Sequence, residues 1–491
     1  MHRLYRLWWP LFALSVSGCN PLDGPKSTES VLPLEPCQLG VPGSPARLAA
    51  RCGSYRVPED RSNEDGREIE LRVAVVPAVS RSPAPDPLVF LTGGPGQAAS
   101  ETYVALAPAF HRVNRDRDVV LVDQRGTGGS NALRCPDEND LALLDEKAVS
   151  QWVSRCLAEL EADPRFYTTG IAMHDLDDVR EALGYETVNL YGLSYGTRAA
   201  LTYLRMFPHR VRTAILDGVV PPTETLGLDV AKDAQRGLDL MIARCSRDPS
   251  CVEAFGGLPG IVDEVMERLE TPVSLTLRHP RTGERETLSF GREMAAYAIR
   301  LLSYSQETAA LLPLLLRSAA DSDLQPLAAQ FLITTTQVSE TMSTGMGISV
   351  LCSEDFPFFE KEAIRESNRG TYLQDLQTDS LKLVCPLWPR GEIPDDFKSP
   401  VHSKAPVLLL SGEADPVTPP SNGDLVLSQL GAENARHLVA RGQGHIVIHR
   451  GCIPRLALEF IEAGGFAGLE TGCVEDIEGQ PFFTSYAGPD P

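Results

Sequence analysis

Short apolar runs rich in β-branched residues alternate along this chain with helix-like stretches, and that alternation restricts the fold more than any other feature. It is the pattern of a mostly parallel sheet with helices packed on its faces. An opening hairpin is expected from Ile69 to Val76, where Glu68, Glu70 and Arg72 alternate with Ile69, Leu71 and Val73. Buried strands follow at Pro87 to Leu91, ending in Gly93-Gly94-Pro95-Gly96, and at Asp118 to Val122, ending in Asp123-Gln124-Arg125-Gly126. A helix is predicted from about His174 to Leu183, with Asp175, Asp177 and Asp178 in its first turn, where carboxylates suit the positive end of the dipole. Thr187 to Tyr191 then runs straight into Gly192, Val211 to Leu216 makes the next strand, and Pro406 to Leu410 the one after a long gap.

That gap, residues 222–400, breaks the alternation and is rich in Leu, Ala and Met, with helical periodicity near 290–330. It reads as a helical cap inserted between two strands of the core sheet. A separate domain starting near 222 is the alternative, but the strand-bearing segment after 400 is too short to build a sheet of its own. A chain of 491 residues accommodates such an insertion. The expected organisation is a leader (1–18), a tether (19–36), the first part of the core (37–221), the cap (222–400), the second part of the core (401–465) and a C-terminal tail (466–491).

The leader has a positive start (His2, Arg3, Arg6) and an apolar run from Leu7 to Val16 that is too short for a permanent membrane span. Val16-Ser17-Gly18-Cys19 looks like a bacterial lipoprotein cleavage box, which makes Cys19 the acylated first residue of the mature chain. An ordinary secretory signal that happens to contain a cysteine is the alternative. Asn20 after Cys19 is not the aspartate associated with inner-membrane retention. Residues 20–36, rich in Pro, Ser and Asp, read as a tether in the cell envelope, facing the periplasm or the exterior.

Eleven cysteines, ten without Cys19, suit an oxidising compartment. Pairs that each bracket one local loop are Cys37–Cys52, Cys135–Cys156, Cys245–Cys251, Cys352–Cys385 and Cys452–Cys473. There is neither CxxC nor HExxH, so no metal site is expected. The 66 acidic against 45 basic side chains, with no Lys/Arg cluster, argue against nucleic acid and weakly for amine-bearing substrates.

The chemistry centres on Gly192-Leu193-Ser194-Tyr195-Gly196. A serine on a strained turn between a strand and a helix exposes its hydroxyl, and flanking glycines keep side chains out of the neighbouring backbone. A β-branched strand precedes this motif, and Thr197 to Phe207 follows as a helix stopped by Pro208. Ser194 needs a base to take its proton. Of nine histidines, His445 lies late in the chain in the Gly-rich loop Arg441-Gly442-Gln443-Gly444, after a strand around His437 to Val439. His449 reads as a helix-surface residue and His437 as packed in its strand. The carboxylate that orients the base is expected in Ser411-Gly412-Glu413-Ala414-Asp415-Pro416-Val417-Thr418-Pro419. Asp415 sits deeper in that turn, Glu413 is the runner-up, and Asp217 reads as a loop or cap contact. An oxyanion hole needs backbone N–H groups, assigned to Tyr195 and, from the turn after the second strand, Gly94.

The set LTGGPG, DQRGTGGS, GLSYGTRAAL, SGEADPVTPP and GQGH resembles, in this order and spacing, the prolyl and tripeptidyl aminopeptidase branch of the α/β-hydrolases, the secreted tripeptidyl aminopeptidase-like group above all. The resemblance runs over about residues 47–465. It implies an α/β-hydrolase fold with a mostly parallel central sheet and an inserted helical cap. It also implies a serine exopeptidase that uses no metal or cofactor, with Ser194, Asp415 and His445 as its triad. One departure is Thr92, where the prolyl iminopeptidase pattern has His; this weakens transfer of strict proline specificity. An aminopeptidase must also meet a protonated amine. Similarity to the family's Cys-x-Glu/Asp cap element points to Glu354 and Asp355, held by a Cys352–Cys385 staple. The expected substrate is a peptide with a free N-terminus, and the membrane is reached only through the lipid anchor. A carboxylesterase with the same triad, and a non-enzymatic binding protein on a degenerate hydrolase fold, are the rival readings; the second is disfavoured because no triad residue is missing.

Overall fold

Strands with apolar residues at successive positions must be covered on both faces, and the computed structural model, which describes residues 32–63, 65–136 and 146–488, shows how. The sheet is built from β1 (Glu35–Gly40), β2 (Arg47–Pro58), β3 (Glu68–Val76), β4 (Leu88–Leu91), β5 (Val119–Val122), β6 (Val188–Leu193), β7 (Val211–Asp217), β10 (Val407–Gly412) and β11 (Ala435–Ala440). Their order is β1-β2-β3-β5-β4-β6-β7-β10-β11. β1, β2 and β3 pair antiparallel, as do β3 and β5, and every later pair is parallel.

The period-two geometry of a strand sends alternate side chains to opposite faces. Val89, Leu91, Leu190 and Leu409 pack on one face with α3 (Thr169–Ala182) and α4 (Tyr195–Met206). Leu88, Phe90, Tyr191 and Leu410 pack on the other, with α1 (Ala99–Asn114) and the helix Ile453–Ala463. α2 (Glu146–Glu159) lies instead in a smaller core with the helix Leu376–Val384.

Between β7 and β10 the chain forms α5 (Val230–Cys245), further helices, and a hairpin of β8 (Val273–Arg278) and β9 (Arg285–Phe290), with a separate apolar core of their own. The hairpin is an addition to the all-helical cap expected from composition. Its exposed-then-half-buried alternation carries little hydrophobic signal.

Three further readings change. β1 begins at Glu35, inside the stretch read as tether, and pairs with β2, so the sheet opens with three antiparallel strands. α3 begins at Thr169, five residues before His174, so the three aspartates stand beyond its first turn. They are engaged by cations: Asp175 by buried Arg125 and by Arg61, Asp178 by Arg61, and Asp177 by Arg180. The stretch after 465 is stitched to the body by Cys452–Cys473 and by Phe482, buried against the cap core.

All five local cysteine pairs are joined. Cys19 and the leader lie outside the described residues.

Candidate active site

β6 delivers its last residue, Leu193, against the sheet and the chain turns at once into α4, which leaves Ser194 at φ 53°, ψ −127°. A non-glycine residue in such a region costs on the order of 1–3 kcal/mol and persists only where its surroundings force it. Here they do. The Ser194 N–H donates to the Asp217 carbonyl (2.8 Å), and the Ser194 carbonyl accepts from Thr197 N–H (2.8 Å) and Oγ1 (2.7 Å). A methyl at Gly192 would lie 2.4 Å from the Gly196 carbonyl oxygen, and one at Gly196 would lie 2.3 Å from that of Leu91. Both glycines are therefore required by close backbone approach.

The turn after β4 lies beside this serine. A methyl on Gly93 would sit 3.1 Å from Ser194 Cβ, and Gly94 has φ +110°. Tyr195 opens α4, so its N–H belongs to the first turn, whose amides have no intrahelical acceptor and carry the positive end of the dipole. The Gly93-Gly94 turn and the first residue of α4, Tyr195, thus both lie next to Ser194.

β10 ends in the loop carrying Asp415, and β11 in the loop carrying His445; the two strands are parallel neighbours, so their loops emerge side by side. His445 Nδ1 is 2.8 Å from Asp415 Oδ2, and Asp415 is fully buried. Asp415 Oδ1 accepts the N–H groups of Val417 and Thr418 (2.8 and 2.9 Å). Thr418 Oγ1 donates to Asp415 Oδ2 (2.7 Å) and stands 3.1 Å from His445 Nδ1. Burial raises the Asp415 carboxyl, but the His445 ring beside it and the hydrogen bonds from His445 and Thr418 outweigh burial and hold it below the usual carboxylate range.

The other candidates separate cleanly. Glu413 accepts from Gly442 N–H at the surface. Asp217, at the end of β7, accepts the N–H groups of Val447 and Ile448 and the Tyr191 hydroxyl, so it ties the His445 loop to the sheet. Burial pushes Asp217 up to about 6 against those three donors and the nearby His445. His437 is held between Asp424 and Ser411, and His449 is exposed. Gly218 joins the two halves: a methyl there would lie 2.9 Å from His445 Cε1, while the preceding carbonyl holds Ser194.

Two site residues from the inserted segment escaped sequence reasoning. Tyr304 accepts the His445 N–H on its carbonyl (2.7 Å) and sets its ring edge-on to the imidazole at 5.5 Å. Met342 bridges to Gln97 while Ser343 N–H donates to the Gly96 carbonyl (2.9 Å), which lays the Met342 side chain over the Gly94 turn. No motif marks either residue; only the folding of the insertion over the sheet brings them there.

The structure places Glu354 and Asp355, the pair expected to bind the amine, among polar groups of the protein itself. Both are fully buried at the end of the helix Thr344–Glu354, which the Cys352–Cys385 bridge anchors. Asp355 is spent on Arg198 (3.0 and 2.9 Å), Lys398 (2.6 Å) and Leu226 N–H (2.9 Å). Glu354 gives both oxygens to Thr169, at its N–H (2.6 Å) and Oγ1 (2.8 Å). Asp355 thus meets four protein donors, whereas Glu354 meets two, both on Thr169. Among the described residues, no group of three or more His, Cys, Asp or Glu is placed to hold a metal ion.

Residues 86–253 match the family model described as alpha/beta hydrolase fold, and residues 372–473 the model described as TAP-like protein. The serine protease Hip1 of Mycobacterium tuberculosis is 26% identical over 511 aligned residues, covering 94% of this chain and 96% of that protein. A tripeptidyl aminopeptidase of Streptomyces coelicolor is 27% identical over 192 residues, 35% of this chain and 36% of its own. A carboxylesterase B of Mycobacterium tuberculosis is 28% identical over 270 residues, 49% and 52% of the two chains.

Proposed function

The chain belongs to the α/β-hydrolases and carries their TAP-like C-terminal segment; on that premise we propose that it is a serine aminopeptidase releasing residues or short peptides from free N-termini. The observation that carries this reading is the 2.8 Å Asp415–His445 pair, joined through the Asp217-Gly218 turn to a serine held on a strained strand-to-helix turn. Similarity along nearly the whole chain to a serine protease, and over a third of it to a tripeptidyl aminopeptidase, favours peptides over esters.

In this mechanism His445 takes the Ser194 proton as the hydroxyl attacks the scissile carbonyl. Asp415 fixes the imidazole tautomer by accepting from Nδ1–H, and it stabilises the imidazolium that forms. The oxyanion is met by the N–H groups of Tyr195 and Gly94. Collapse expels the shortened peptide as His445 protonates its amine, and water then hydrolyses the acyl-enzyme with the same base.

Carboxylates that suit a substrate ammonium stand in the loop after β7 and the first turn of α5. Asn422 binds the Val219 carbonyl (3.2 Å) and Glu224 Oε2 (2.6 Å), which holds Glu224 next to the Gly218 crossing. Burial pushes Glu224 up to about 8, with Arg198 opposing and Asp233, Asp229 and Asp355 adding repulsion. Burial and the neighbouring Asp229 push Asp233 up to about 7, with Asp415 adding to the field. An incoming cation relieves that repulsion, whereas a neutral acyl chain does not.

Export and anchoring through an acylated Cys19 complete the proposal. Five disulfides support an oxidising compartment, and no helix among the described residues is long and apolar enough to cross a membrane. Cys19→Ser should release the enzyme from the membrane fraction.

The test of the activity is a panel of peptide anilides, free and N-acetylated, with a short-chain ester, assayed with native enzyme and Ser194→Ala. Turnover confined to free-amine peptides and lost in the variant is the expected result. Equal turnover of blocked peptides or of the ester overturns the aminopeptidase reading and moves the enzyme among the esterases.

A further inference from the structure

Tyr195 carries two things at once: the N–H beside the nucleophile and a phenol buried away from solvent. That phenol belongs to a chain of hydrogen bonds that crosses from the inserted segment to the core. Glu354 Oε1 accepts the Thr169 N–H and Oε2 accepts the Thr169 Oγ1–H. Thr169 Oγ1, its proton spent, can only accept from the Tyr195 hydroxyl, 2.6 Å away. The Tyr195 oxygen in turn accepts from Gln124 Nε2 at 3.0 Å. Gln124 comes from Asp123-Gln124-Arg125-Gly126, a motif that the triad itself does not use.

We propose that Glu354 is a positioning residue for the oxyanion hole, acting through Thr169 to hold Tyr195, and so the Tyr195 N–H, in the geometry that receives the developing charge. The carboxylate sets the direction of the two hydroxyl bonds, Thr169 to Glu354 and Tyr195 to Thr169. It also caps the first amide of α3, so the cap helix, α3 and the nucleophile elbow are fixed at one point. A protonated Glu354 would have to donate to Thr169. Thr169 would then donate to Tyr195, whose own buried proton would be left without an acceptor. Burial pushes Glu354 up to about 7, with Arg198 on α4 and the Thr169 donors opposing and Asp355 adding to the rise, so this polarity switches near neutral pH.

The inference needs Ser194 as nucleophile and holds whether the substrate is a peptide or an ester. The variants Glu354→Gln, Tyr195→Phe and the pair together test it, with kcat and KM measured on a free-amine anilide, its acetylated form and a short ester. Each single variant should lower kcat about tenfold to a hundredfold on every substrate that the native enzyme turns over, with KM within about twofold. The pair should be no worse than the more damaging single change, because one chain is broken once. A KM increase confined to free-amine substrates would make Glu354 an amine receptor and overturn the proposal, as would additive losses or unchanged kcat. If Glu354→Gln does not fold, Tyr195→Phe, which removes a single oxygen, decides by the same kcat criterion. Failure of the aminopeptidase reading shows separately, as native turnover of acetylated peptides.

Discussion

At the residue scale the candidate site depends on which carboxylates are engaged and which are left open. Asp415 accepts from two backbone amides and from Thr418, which fix the carboxylate so that Oδ2 meets the imidazole of His445. Asp415→Asn keeps the shape but lets an amide N–H face Nδ1, which stabilises the wrong tautomer. It should lower kcat by roughly 10⁴-fold, measured with enzyme quantified by an active-serine titrant. A loss below tenfold would remove Asp415 from the triad. Asp233 is the opposite case, a buried carboxylate among other carboxylates. Asp233→Asn should raise KM for free-amine peptides by roughly tenfold, equivalent to about 1.4 kcal/mol, and leave acetylated substrates and kcat unchanged. A parallel rise for blocked substrates would show that Asp233 shapes the site and does not read the amine.

At the element scale the serine is presented by backbone packing. β4 runs beside β6, and the Leu91 and Thr92 carbonyls press on Gly196. Gly196→Ala should therefore destabilise the fold by about 1–3 kcal/mol and cripple turnover, since any relief moves the Tyr195–Ser194 turn. Gly170, the second residue of α3, has open space where its Cβ would stand, and Gly170→Ala should be neutral or slightly stabilising. Urea denaturation of the two variants tests the contrast, and equal costs would refute it. The Arg198–Asp355–Lys398 cluster acts at the same scale. It joins α4 to the end of the cap helix and to the approach to β10, and opening it would strand a fully buried guanidinium.

Over the whole molecule, burial sets the pH dependence of stability. Asp217, Glu224, Asp233 and Glu354 stand at about 6, 8, 7 and 7. All four are raised above the ordinary value near 4 of an unfolded chain. The folded state therefore holds protons that the unfolded state has released. The stability these groups contribute is full below about pH 4 and is lost as pH rises through 6 to 8. Asp415 works the other way: its depressed carboxyl loses its contribution only in stronger acid. The melting temperature should accordingly fall between about pH 5 and pH 8. In calorimetry, Glu354→Gln should flatten part of that slope; a melting temperature that climbs across the interval would contradict the assignment.

How much of this was legible in the chain follows from the range of the interactions. The parallel strands, the Ser194 turn, the Asp415 and His445 loops and the five local disulfides rest on neighbours in sequence, where β-branching, glycine and loop position act directly. β1 and β2 leave little apolar signal in the sequence because most of their residues are exposed or half-buried. The start of α3 is not marked by its aspartates because they answer to Arg61, Arg125 and Arg180, two of them distant in the chain. Glu354 and Asp355 read identically as solvated charges or as ligands until folding buries them against Thr169 and Arg198, 185 and 157 residues away. Tyr304 and Met342 reach the site by the same route. Local order in the chain is enough to place the backbone turns and the side chains on them, because strain and hydrogen bonding there involve near neighbours. Which carboxylates are engaged by cations and what covers the Gly94 turn depend on the folded chain, because desolvation and charge pairing follow from what distant segments bring alongside.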